Sequence, residues 1–475
     1  MDRHLVTNDE YQLSLMFDVA LGSQAREHFQ RRFLLLGSTL RQSATLIAPQ
    51  TIQFASSDSK KHSGNLSMGP QISKIFGQIP NTENFINLDL NGKNLLITGS
   101  NGSGKTWLLK HLEQILHHEL MMPTPSIKEL QAELDSLKAK GDPEGRGDNY
   151  YEHIRNTERI EQALSRSNHR ILIDRTSNAS ITPHEFSMFF EATRQASIPS
   201  PSSIGSVTTS KAQWRSSING NSVGGVLEQH LSNLKQRAAT AIAYDKDEEL
   251  AKRIENWFSI LESNIGLLME DDSTKLLYDS EKYTFVISRN NKRDTDLQSL
   301  SSGYSSIFSI YSEILMRTEV LEITPSDYEA VAFIDEIETH LHVSLQRLIL
   351  PFLTNTFPKV QFIVTTHSPF IITSTTDAIA YDISTNSVVD EDLSLYPYTA
   401  VMKGLLHTKP TSIVLEGIIK NISTIINSNS IDTIALHSEL SKLRDSYEIL
   451  DNRSKNFYMR GEQILLDAGE NDVQS

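Results

Sequence analysis

Gly99-Ser100-Asn101-Gly102-Ser103-Gly104-Lys105-Thr106 fits the pattern G-x-x-x-x-G-K-[ST]. Its flanks supply the context that the pattern needs. Asn94-Leu95-Leu96-Ile97-Thr98 reads as a short apolar strand, and Trp107 to Leu116 carries apolar residues at helical spacing. Strand, glycine loop, helix is the arrangement in which such a loop binds phosphate. The glycines let backbone N–H groups converge on phosphate oxygens, and the helix N-terminus adds partial positive charge. Lys105 is expected to reach the β- and γ-phosphates of a nucleotide, and the Thr106 hydroxyl to bind Mg²⁺.

Three further stretches carry chemistry. Val331-Ala332-Phe333-Ile334-Asp335-Glu336 is an apolar strand that ends in two acids. A buried strand ending this way delivers carboxylates to the end of a sheet, where ligands of open α/β sheets bind. Asp335 would join the Mg²⁺ shell, and Glu336 would orient the attacking water. Leu300-Ser301-Ser302-Gly303-Tyr304 precedes an expected helix from Ser305 to Met316. A Ser-Gly pair there can bind phosphate, although taken alone it reads first as a plain N-cap. Gln361-Phe362-Ile363-Val364-Thr365-Thr366-His367-Ser368-Pro369 is a strand with His367 at its tip. That histidine is either structural or, beside Asp335 and Glu336, a γ-phosphate contact.

Composition narrows the class. At 475 residues the chain exceeds one typical domain, and 38% hydrophobic with 22% charged residues suits a soluble globular protein. There is no cysteine, which excludes disulfides, thiolate zinc sites and cysteine nucleophiles. No apolar run approaches membrane length and Met1-Asp2-Arg3-His4 opens no signal peptide, so a cytoplasmic protein is expected. The net charge of −15 argues against a general nucleic-acid coat, although a local basic groove stays open.

Patterning divides the chain. Residues 1–80 form an N-terminal region of unknown role, with helical character over 19–36 and a polar loop over 42–69. Residues 81–118, 170–199 and 275–385 form the core, interrupted by a helical insertion at 119–169. Residues 200–274 are a Ser/Gly-rich, lid-like loop and a helical subdomain; 386–475 are mostly helical, for docking or oligomerisation. The basic residues Lys211, Arg215, Lys235 and Arg237 read as scattered and solvated. Leu436, Leu440, Leu443, Tyr447 and Leu450 form a packing stripe.

The order phosphate loop, Leu300-Ser301-Ser302-Gly303, Ile334-Asp335-Glu336, Thr365-Thr366-His367-Ser368-Pro369 resembles the ATP-binding-cassette-type ATPases of the RecF, OLD and structural-maintenance group. Asp335-Glu336-Ile337-Glu338-Thr339-His340-Leu341-His342 and Thr365 to Phe370 look especially like the compact anti-phage defence branch, such as PtuA of Septu and AriA of PARIS systems. The resemblance covers about 85–118, 170–195 and 275–383.

The resemblance implies an α/β fold: a P-loop NTPase of ABC-ATPase head type with helical insertions and a mostly helical C-terminal region. It implies ATP and Mg²⁺, with Gly99 to Thr106 on the phosphates, Thr106 and Asp335 on the metal, Glu336 as catalytic base and His367 as switch histidine. Ser302 and Gly303 would reach the ATP of the opposite protomer, so that two copies sandwich two nucleotides in a homodimer or higher homo-oligomer. His342 falls where many relatives carry an aspartate of the dimer interface. Gln195 would be the glutamine that senses Mg²⁺ and water, with Arg194 competing beside it. Tyr304 departs from the transporter signature and weakens a transporter reading.

The function implied is an ATP-hydrolysing sensor and scaffold of an anti-phage defence system that controls a separate effector protein, a nuclease in the leading version. The alternative is a DNA-repair or chromosome-maintenance ATPase that binds DNA directly. Ile413-Val414-Leu415-Glu416-Gly417 resembles the opening strand of a TOPRIM nuclease domain, but only 58 residues follow, without the Asp-x-Asp such a domain needs.

Overall fold

The computed structural model describes residues 71–80, 82–122, 127–140, 148–167, 170–176, 182–218, 222–408, 411–428 and 430–473. The expectations for 19–36 and 42–69 lie outside them. The chain forms two compact units, one up to Leu395 and one from Tyr396, so the division falls ten residues beyond the expected 385.

The first unit opens with β1 (Ile72–Gln78), paired antiparallel to β2 (Phe85–Asp89) with Ile75 opposite Leu88. β2 alternates exposed and buried residues, the pattern of a sheet with one wet face. β1 falls inside the region 1–80 that patterning set apart. A register irregularity between Ile72 and Lys74, and Gly77 at φ +127°, break the period-2 signal that would have exposed it. β3 (Asn94–Thr98) leads through the glycine loop into α1 (Lys105–Met121). α2 (Ile127–Lys140) and α3 (Asp148–Ser167) are the two helices of the expected insertion. β4 (Leu172–Arg175) then returns to β1 and completes the small sheet β2-β1-β4.

After β5 (Ser187–Phe190), the stretch expected to be a lid-like loop contains a helix, α4 (Val207–Ser217). Its buried face holds Val207 and Lys211, so a lysine interrupts the apolar stripe that marks a helix in sequence. α5 (Leu227–Thr240) and α6 (Glu248–Leu268) follow, then β6 (Lys275–Asp279), β7 (Thr284–Ser288) and β8 (Thr295–Asp296) in an antiparallel sheet. α7 (Ser302–Leu321) precedes β9 (Ala330–Ile334), α8 (Val343–Thr356), β10 (Val360–Thr365), β11 (Ala378–Asp382) and β12 (Ser387–Val389).

The main sheet has the order β12-β11-β3-β10-β9-β5 and is parallel except for β12. Every residue of β3, β9 and β10 is buried, as expected of parallel strands covered on both faces. Leu108, Leu109, Leu112, Leu116 and Leu120 of α1 sit in one core cluster with Ile97, Phe333 and Ile363. Each fully buried leucine contributes roughly 2 kcal/mol, enough to fix α1, and with it the loop, against the strand ends.

α7 is buried almost throughout, yet it carries charges. Glu319 is fully buried; its carboxylate accepts from Trp257 Nε1 at 3.1 Å, lies 3.2 Å from His230 Nε2 and pairs with Lys211 Nζ at 3.1 Å. Lys211 is therefore an interior partner of α7 rather than the solvated residue expected. Burial would raise the Glu319 carboxyl, but His230 and Lys211 outweigh it and hold its pKa below the ordinary value. Burial pushes the His230 imidazole down. Stability drawn from neutral His230 is thus full above the ordinary histidine pKa of about 6.5 and declines as pH falls toward the lower folded value. Glu319→Ala would strand Lys211 in the interior. A loss of about 3–5 kcal/mol is expected in urea unfolding; an unchanged midpoint would contradict the cluster's role.

The second unit contains α9 (Ile413–Ile426), α10 (Thr433–Arg444) and α11 (Asn452–Val473). Its core gathers Ile419, Ile422, Ile426, Leu436, Leu440 and Leu443, with Leu450 packed against it, so the stripe read in sequence is largely a packing face. The segment that resembled a nuclease strand is the start of α9. Ser412 caps it by accepting from Leu415 N–H at 3.1 Å. Among the described residues, no helix is long and apolar enough to cross a membrane.

Candidate functional site

The order β3-β10-β9 sets three C-terminal strand ends side by side. β3 delivers the glycine loop, β9 delivers Asp335 and Glu336, and β10 delivers His367. A parallel register, with Leu95 beside Ile363 and Ile363 beside Phe333, levels these ends. Ligands of open α/β sheets bind at such an edge.

The loop has the backbone that its glycines permit. Gly99 and Gly102 adopt φ +141° and +77°. A Cβ on Gly99 would come within 2.8 Å of Ile383, Ser103 and Ser384 side-chain atoms, whereas a Cβ on Gly102 would meet nothing within 4 Å. Gly99 is therefore a packing requirement, and Gly102 opens onto free space. Ser100 N–H donates to Ser384 Oγ at 2.8 Å, which pins the loop to the end of β11. Asn101 and Gly102 form its exposed turn, and Gly104 is the left-handed residue from which α1 starts. Lys105 is buried, with Nζ donating to Gly99 O at 3.1 Å and Ser100 O at 2.9 Å. Burial lowers its pKa; Glu336, Glu338, Asp335 and Asp382 pull the other way.

Thr106 Oγ1 donates to Asp335 Oδ1 at 3.1 Å, and Thr365 Oγ1 donates to the same oxygen at 2.6 Å. Thr365 Oγ1 also accepts from Glu336 N–H at 2.7 Å. The two residues assigned to the metal are thus already in contact, and β10 ties both acids in place. Glu336 is half-buried and has φ +42°, a strained value for a residue with a side chain. Its Oε2 accepts from Thr339 Oγ1 at 3.2 Å. His367 N–H donates to Glu338 Oε1 at 2.5 Å. Burial and the nearby Lys105 charge lower the His367 pKa, which keeps the ring neutral near pH 7.

A magnesium nucleotide fits these residues. Mg²⁺ commonly takes one or two protein oxygens together with phosphates and water, and Thr106 with Asp335 offers that pair. Ser103 Oγ is buried in the loop without a hydrogen-bond partner, a donor left for an incoming oxygen. A cavity of about 260 Å³ borders the loop, lined among others by Ile79, Pro80, Ser103, Trp107 and Ile383. Trp107 is 43% exposed and stacks on His111 with ring centroids 4.8 Å apart.

Other residues expected at the site fall elsewhere. Ser302 is exposed and Gly303 buried at the start of α7, where a Cβ on Gly303 would lie 3.0 Å from His340 O. Gly303 packs on the turn that follows Glu336, and neither residue takes part in the bonds joining Lys105, Thr106, Asp335 and Glu336. Ser301 occupies the N-cap without a side-chain cap bond, so capping does not explain the Ser-Ser-Gly run. His342 is exposed and caps α8. Gln195 is exposed beyond β5, and its neighbour Arg194 takes the buried position against the acids. Thr365, Glu338, Ser384 and Arg194 are the members that motif reading did not assign. For Thr365 and Glu338 the signal was their place within the quoted motifs; Arg194 bonds only to backbone, which leaves no signature.

A family model described as "AAA domain, putative AbiEii toxin, Type IV TA system" matches residues 95–373, more than half the chain. The chain is 41% identical over 87 residues to the retron Ec83 probable ATPase of Escherichia coli, covering 18% of this chain and 16% of that protein. It is 29% identical over 156 residues to the Septu protein PtuA of Bacillus thuringiensis, covering 32% and 38%. The chain therefore spans well under half the length of these relatives. Among solved structures, an Smc head bound to the C-winged helix domain of ScpA aligns at TM-score 0.32 and 12% identity, over 67% of this chain and 97% of that one. With its family match running from β3 past His367, the chain belongs to this AAA-domain family of P-loop ATPases.

Proposed function

We propose that the chain binds and hydrolyses ATP, and that ATP-dependent association of two copies controls a separate effector, a nuclease, in anti-phage defence. The observation that carries the hydrolysis is the shared acceptor: Thr106 and Thr365 both donate to Asp335 Oδ1, and Thr365 also receives the Glu336 amide. One threonine of β10 thus holds both acids against the phosphate loop. In this reading Lys105 and the loop amides bind the β- and γ-phosphates. Trp107 offers an aromatic face to the base in the neighbouring cavity. Thr106 and Asp335 would hold Mg²⁺, which when bound would neutralise phosphate charge. Glu336 accepts a hydrogen bond from the attacking water and orients it. His367, held neutral, lies across the strand ends from Glu336, where its ring can bond to the terminal phosphate.

Association of two copies is supported by Ser302, which is exposed at the N-terminus of a 20-residue helix and outside the bond network of its own loop. The defence role is supported by the Asp335 to His342 phrase and by relatives named as retron ATPases and Septu PtuA. Phosphate release from ATP with Mg²⁺ tests the reading. Saturable turnover is expected, and Trp107→Ala should raise the nucleotide Kd by about 10-fold through loss of aromatic contact of ~1–3 kcal/mol. No turnover, alone or with the product of a neighbouring gene, would overturn the hydrolysis. Steeply salt-dependent DNA binding would instead favour a DNA-maintenance role.

A further inference from the structure

Arg194 is 7% exposed and bonds to four backbone carbonyls. Nη1 donates to Glu191 O at 2.9 Å and Asp335 O at 2.8 Å; Nη2 donates to Glu336 O at 3.3 Å and Ile337 O at 2.8 Å. Three of these acceptors are consecutive, and they form the turn on which Glu336 takes its strained φ of +42°. The segment bearing Arg194 is itself fixed. Glu191 pairs with Lys110 of α1 at 3.0 Å, and Ala196 N–H donates to Ser305 Oγ of α7 at 2.9 Å. Burial pushes the Arg194 guanidinium down to about 10, with Glu338, Asp335 and Glu336 opposing. It stays charged at neutral pH beside three carboxylates, yet both Nη groups donate to main-chain oxygens, while Nε is buried without a hydrogen-bond partner.

We infer that Arg194 is the positioning residue for Glu336: its fork binds the carbonyls of Asp335, Glu336 and Ile337 and holds the turn in the one conformation that aims the Glu336 carboxylate at the attacking water. This inference rests on the hydrolysis reading above. It places the work expected of Gln195 one residue earlier and gives it a different form, since Arg194 acts on the catalytic turn and not on the metal or the water. Oriented backbone strain of this kind persists only where surrounding groups over-determine it. A lysine cannot replace the fork, because its ammonium is a compact point charge on a flexible stem. The same segment bonds to the first turn of α7, so the turn that carries Glu336 and the helix start that carries Ser302 share one brace.

Arg194→Lys and Arg194→Ala, assayed for phosphate release and equilibrium nucleotide binding, test the inference. For Arg194→Lys, kcat is expected to fall by about 10²-fold, the cost of misplacing a reacting group by about 1 Å, with nucleotide Kd within about threefold of wild type. In a Glu336→Gln background the lysine change should add nothing further. Exogenous guanidinium should restore part of the kcat of Arg194→Ala. The inference is overturned by wild-type-like kcat in Arg194→Lys, by parallel loss of kcat and nucleotide affinity, by losses that multiply with Glu336→Gln, or by failure of both variants to fold, which would leave a purely structural brace. An inert wild-type protein would overturn the hydrolysis reading itself, a result distinct from all of these.

Discussion

Glu336→Gln is expected to bind ATP with wild-type affinity and to lose turnover by about 10²–10³-fold, the range measured when one group that stabilises developing charge is removed. The substitution is nearly isosteric. It keeps the Oε acceptor for Thr339 and the amide bond to Thr365, so the turn survives. What it removes is the negative charge that accepts hydrogen bonding from water. Nucleotide affinity should stay within a few-fold because Glu336 makes no hydrogen bond to the loop, whose bonds run through Lys105, Thr106 and Asp335. Affinity and kcat falling together would point to collapse of the turn, and unchanged kcat would move the base elsewhere, with Glu338 as the nearest candidate.

Lys105→Ala acts one step earlier. Lys105 is buried and its charge faces Glu336, Glu338, Asp335 and Asp382. Removing it leaves four carboxylates around a phosphate site with no balancing cation from the loop. A charge-assisted hydrogen bond is worth about 1.5–3 kcal/mol, and here the repulsion adds to its loss. ATP affinity should drop by about 10²-fold or more in calorimetric titration. A drop in turnover without a drop in affinity would mean that the ammonium serves the reaction and not the binding.

The nucleotide edge of the sheet was legible in sequence because its signals are local. β3, β9 and β10 are buried on both faces and therefore read as nearly continuous apolar runs, each followed at once by its polar tip. The failures have physical causes as specific. β1 was hidden by a bulge and by Gly77. α4 was hidden because its buried face includes Lys211, which satisfies Glu319 in the interior and so breaks the usual sorting of charge to the surface. Arg194 stands out in the sequence only as a rival to Gln195. Its partners are carbonyls some 140 residues further along the chain, and a backbone acceptor has no residue type to recognise. The start of α9 looked like a strand because Ile413, Val414 and Leu415 are β-prone, but the Ser412 cap and the buried spacing of Ile419, Ile422 and Ile426 decide for helix.

In the proposed assembly the site is shared: a nucleotide held at Gly99 to Thr106 would be completed by Ser302 and Gly303 of a second copy. The mass of Glu336→Gln in solution, measured with and without ATP and Mg²⁺, tests this most directly. Turnover is blocked in this variant, so any ATP-bound assembly should persist. The mass is expected to double, or an existing oligomer to step up by pairs, only when ATP and Mg²⁺ are both present, and Ser302→Arg should cancel the step while leaving ATP binding intact. A mass that stays the same while ATP is demonstrably bound would contradict the shared site.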